Sequence, residues 1–176
     1  MSETTNNPLL QPWQTPFGLP PFEQIRPEHF APAFEHAMRS HRVEIDAIAN
    51  DTAPPSFDNT LAALDRCGRE LVRIEQVFFN LTASETSPAL QAVEREMSPR
   101  LAAHYSAIHL DARLFARIDA VAQRRGELGL TLEQSRLAER VHLDFVRAGA
   151  RLTGSARARG SRRRTASSRP RRPWPC

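Results

Sequence analysis

The chain has 176 residues, 40% hydrophobic and 25% charged, enough for one domain of ordinary size with a buried core, and no stretch approaches the ~18 apolar residues of a membrane span. Its net charge of +4 hides two opposite halves: all 20 acidic residues lie at or before Asp144 and outnumber the 16 arginines up to Arg151, whereas residues 153–176 carry eight arginines and no acid. Cys67 and Cys176 are the only thiols, which excludes a disulfide framework or a cysteine metal cluster, and the polar start from Met1 to Asn7 lacks the features of a signal peptide, so a soluble cytoplasmic protein is expected.

Residues 1–26 hold Pro8, Pro12, Pro16, Pro20 and Pro21, with Trp13, Phe17, Leu19, Phe22 and Ile25 between them. Each proline ring removes a backbone donor and restricts the residue before it, so this segment is predicted to be an extended arm whose apolar anchors pack on something. Pro27 stands where a first helical turn tolerates proline. Phe30, Phe34, Met38, His41, Ile45 and Ile48 then recur at three- and four-residue spacing, predicting an amphipathic helix that ends near Asn50, before the turn marked by Pro54 and Pro55.

Asp58 or Asn59 is the expected cap of the next helix, whose stripe is Leu61, Leu64, Leu71, Ile74, Phe78 and Leu81, with Cys67 in the gap. Ser87 and Pro88 open a third helix carrying Leu90, Val93, Met97, Leu101, Tyr105 and Ile108, and Pro99 inside it should kink or divide it. Leu114, Ile118 and Val121 predict a shorter helix stopping near Gly126. Thr131 and Gln134 form a capping-box pair ahead of a fifth, through Leu137, Val141, Phe145 and Ala148. No segment sustains period-two alternation. The expected fold is all-α, with antiparallel helical hairpins and short connections over residues 27–152.

Residues 153–176 break the pattern. They contain no Leu, Ile, Val, Met or Phe, and Trp174 is the one large apolar side chain. Such a segment cannot bury enough apolar area to offset its ordering entropy and is expected to be disordered. Its arginines could hold phosphate backbones non-specifically, but the aromatic interleaving of a single-strand binder is missing, so nucleic acid is not the expected partner. All 24 basic residues of the chain are arginine, a bias that reads as GC-rich coding sequence.

Six histidines invite a metal search. His36 and His41 are five residues apart, as are His104 and His109, which at ~100° per residue sets each pair ~140° apart around a helix, so neither converges on one ion. The His-Glu-x-x-His pattern is absent. His41 lies on an apolar stripe and reads as a packed core residue. Cys67 has no elbow or glycine turn of a nucleophile and reads as a partly buried structural thiol. Glu94 with Glu96, and Glu35 with His36, read as solvated helix faces. No catalytic, cofactor-binding or metal-ligating residue is assigned.

Several segments nevertheless resemble one family. Asn-Pro-Leu-Leu at 7–10, Leu-Pro-Pro-Phe at 19–22 and Ile-Arg-Pro-Glu-His-Phe-Ala-Pro-Ala-Phe at 25–34 are similar to the start of the thimet oligopeptidase family of zinc peptidases. Ser-Phe-Asp-Asn-Thr at 56–60, Val-Phe-Phe-Asn-Leu-Thr at 77–82, Leu-Phe-Ala-Arg-Ile-Asp-Ala-Val at 114–121 and Phe-Val-Arg-Ala-Gly-Ala-Arg-Leu at 145–152 resemble its bacterial peptidyl-dipeptidase branch, also called dipeptidyl carboxypeptidase, beside oligopeptidase A. The resemblance implies that residues 27–152 form part of the N-terminal lobe of a two-lobed helical peptidase and wall a channel that admits short peptides. It also implies zinc for the full-length enzyme only, since that family's zinc helix lies downstream of everything matched here.

The expectation is therefore a non-catalytic N-terminal fragment of a zinc-dependent peptidyl-dipeptidase, with the C-terminal catalytic region as its missing partner. Residues 153–176 are expected to be the product of a frameshift, real or from sequencing, because shifted GC-rich codons tend to give Arg, Pro, Ala and Ser. Alone, such a fragment should expose apolar surface and be poorly soluble or molten. The alternative expectation is a helical interaction module whose basic tail binds nucleic acid or acidic partners.

Overall fold

The computed structural model describes residues 6–152, all helix, turn and loop without a strand among them. These residues divide into two compact units, one made of the described residues up to Arg42 together with Gly68–Leu101, the other of Val43–Cys67 together with the described residues from Ala102. The segment 153–176, expected to be disordered, lies outside the described residues.

The helices in chain order are α1 Phe30–Ala49, α2 Ala63–Arg66, α3 Arg69–Ser84, α4 Pro88–His109, α5 Ala112–Gln123 and α6 Leu132–Ala148. The all-α reading of the sequence holds.

In the first unit, a 3-10 turn at Pro27–His29 leads into α1, and its start is secured by the Arg26 backbone N–H donating to His29 Nδ1 at 3.0 Å. Phe30 and Phe34 from α1 meet Phe78 from α3 with ring centroids 4.9 and 5.3 Å apart, both edge-on, and all three are fully buried with Leu71, Ile74 and Met97. Edge-to-face contact sets the positive rim of one ring against the negative face of the next, which adds about 0.5–1.5 kcal/mol per pair to the burial itself.

The arm packs only in part. Leu9 is fully buried, and Asn7 closes the turn around it, donating from Nδ2 to the His29 carbonyl at 2.7 Å and accepting from the Leu9 N–H. Arg73 of α3 donates to the Leu9 carbonyl at 2.9 Å and lies 4.7 Å over the Trp13 ring. Ile25 is buried as well, whereas Phe17, Leu19 and Phe22 are exposed, so of the anchors expected to pack on something these three are not covered by the described residues. The cause is the turn Pro16–Gly18, which throws Phe17 outward with φ 61° and ψ 13°, a left-handed conformation costing a side-chain-bearing residue about 1–2 kcal/mol.

The second expected helix is not continuous. Its cap is Ser56 rather than Asp58 or Asn59: the Ser56 hydroxyl accepts from the Asn59 N–H at 3.2 Å and Asn59 Oδ1 accepts from the Ser56 N–H at 2.8 Å. A π-helical turn at Phe57–Ala62 runs into the short α2, and the chain then breaks at Cys67 and Gly68. Gly68 takes φ +68°, and a Cβ built on it would stand 2.8 Å from the His41 ring, so glycine is required there both by conformation and by space. The apolar stripe continues across this break, which is why periodicity alone reads the two segments as one.

Pro99 does not divide α4, which runs unbroken from Pro88 to His109. A proline removes one helical hydrogen bond, and here the flanking Met97 and Leu101 are buried, so packing offsets that loss.

The second unit packs Ile45 and Ile48, Leu61 from the π-turn, Ile108, Leu114, Ile118 and Val121 from α5, and Ala138, Val141 and Phe145 from α6 into one core. The Asp111 carboxylate caps α5 by accepting from the Arg113 N–H at 2.9 Å. Thr131 and Gln134 form the expected box at the head of α6, with bonds of 3.2 and 3.0 Å, and Gly149 at φ 103° ends that helix. Arg117 is the buried cation of this core. It donates to the carbonyls of Asp51 and Ala53 and, at 3.1 Å, to the Asp51 carboxylate, so one guanidinium shapes the turn between α1 and the π-turn.

Candidate functional site

The histidines are dispersed into separate structural roles. His41 is only 8% exposed, packed against Gly68, and burial pushes its pKa down to about 4, so the ring is neutral at ordinary pH. His36, five residues earlier, lies 3.8 Å from the Glu70 carboxylate. His109 shares a 2.8 Å hydrogen bond with the Tyr105 carbonyl, and its ring lies 4.9 Å from Phe145. Among the described residues no three His, Cys, Asp or Glu side chains come together as a metal ion would need.

Cys67 is half-buried and donates from Sγ to the Ala63 carbonyl at 3.2 Å. Burial, with the negative charge of Glu44, pushes its thiol up to about 11 against the opposing charge of Arg66. The reactive species is the thiolate, which this shift disfavours at neutral pH. Of the carboxylates read as solvated faces, Glu35 accepts from Arg100 at 2.6 Å and Glu96 from the same guanidinium at 3.4 Å, an ion-pair cluster on the surface of α1 and α4.

One polar cluster was not legible in the sequence. His142 on α6 makes a 2.8 Å hydrogen bond through Nε2 to Asp119 on α5, Arg151 reaches the same carboxylate oxygen at 3.3 Å, and the Phe115 ring stacks on the imidazole at 5.7 Å. Burial alone would raise the Asp119 pKa, but the hydrogen bonds from His142 and Arg151 outweigh it and hold the carboxyl below its usual range. Two donors converging on one anion make this a structural tie between α5 and α6, with Nε2 of His142 already engaged. The contact spans 23 residues, and no spacing rule points to it.

The chain matches no protein-family model. It is 44% identical over 155 residues to the dipeptidyl carboxypeptidase of Salmonella typhimurium, an alignment covering 88% of this chain and 23% of that protein. The dipeptidyl carboxypeptidase of Escherichia coli K12 is also 44% identical, over 156 residues, 89% of this chain and 23% of that protein. Oligopeptidase A of Salmonella typhimurium is 34% identical over 95 residues, 54% of this chain and 13% of that protein. The chain thus spans less than a quarter of the length of the curated relatives it matches. Over that span it is a homologue of the dipeptidyl carboxypeptidases and, more weakly, of oligopeptidase A, as the quoted segments led one to expect.

Proposed function

We propose that residues 27–152 are a non-catalytic helical portion of a cytoplasmic zinc-dependent dipeptidyl carboxypeptidase, forming part of the wall around a channel that takes short peptides. The observation that carries this reading is the 44% identity sustained over 88% of the chain. The described residues bring no set of metal ligands together, so no zinc ligand is assigned to them and no catalytic step is drawn through them. Their contribution is shape. A half-buried thiol with its pKa pushed up and a buried histidine with its pKa pushed down support the reading as a scaffold. Residues 1–26 are the arm that precedes this scaffold, and residues 153–176, rich in Arg, Pro and Ser, are assigned to a shifted reading frame.

The test is a chimera in which the aligned segment of the Escherichia coli dipeptidyl carboxypeptidase is replaced by the corresponding residues of this chain. It should release dipeptides from the C-terminus of a short peptide, while the 176-residue chain with added zinc should release none. Turnover by the chain alone would overturn the non-catalytic assignment, and a folded chimera without activity would overturn the functional one.

A further inference from the structure

We draw no further inference here: the strongest candidate, the His142–Asp119–Arg151 side-chain cluster between α5 and α6 with Phe115 stacked on the imidazole, belongs to the site already described, where its hydrogen bonds account for it as a tie between the two helices.

Discussion

Replacing Gly68 by alanine tests the tightest packing in the first unit. The residue takes φ +68°, where an alanine pays about 1–2 kcal/mol against its preferred backbone. The added methyl would also stand 2.8 Å from Cε1 and Nδ1 of His41, inside van der Waals contact with a ring that is itself buried, and such overpacking costs about 1–3 kcal/mol. The two effects have different origins and together predict a loss of about 2–5 kcal/mol in urea-induced unfolding followed by far-UV circular dichroism. They are also separable. In the background of His41→Ala the steric part disappears and the conformational part stays, so Gly68→Ala should then cost only about 1–2 kcal/mol. A chain that was molten when isolated, as the sequence leads one to expect of an unpartnered lobe, would have no such contact to lose. An unchanged unfolding midpoint in Gly68→Ala would therefore refute the packing argument.

The His41 contact also predicts a pH dependence. A histidine near 6.5 in the unfolded chain and near 4 in the folded one contributes stability that is complete above pH ~6.5 and lost as the pH falls toward 4, because the unfolded state binds the proton first. The span corresponds to about 3 kcal/mol at most, and urea midpoints measured from pH 7 to 4 should fall accordingly in the parent and much less in His41→Leu. Arg117→Ala should cost about 3–5 kcal/mol, since it strips the donor from the Asp51 carboxylate and two backbone carbonyls at once, and hydrogen exchange should quicken first around residues 51–53. Cys67 should alkylate slowly with iodoacetamide at pH 7.5 in the native chain and rapidly in urea, read by peptide mass mapping. Equal rates would contradict its raised pKa.

The parts of the fold legible in the sequence were those set by neighbours within a turn or two. The Phe30–Phe34 stripe and the Thr131–Gln134 box each follow from local spacing and local hydrogen bonds. The errors share a cause. Leu64 and Leu71 sit in phase on either side of Gly68, so apolar periodicity runs through a break that only the approach of His41 explains. Asn59 was read as a cap because it is a capping residue type, yet Ser56 three positions earlier takes that role and leaves Asn59 to close the box. Of the two outcomes expected at Pro99, a kink or a division, the division is absent, since α4 runs from Pro88 to His109.

The same division governs the functional reading. The sequence segments that carry the resemblance include core residues: Phe34, Thr60, Phe78, Ile118 and Phe145 all lie in the interior. Matched cores transmit a fold, and a fold by itself does not assign chemistry. The described surface is a separate matter from that matched core. On that surface the buried half of the arm, held by Leu9 and Arg73, conforms to the rule that apolar side chains turn inward. Phe17 departs from it, and does so at the one described non-glycine residue with positive φ.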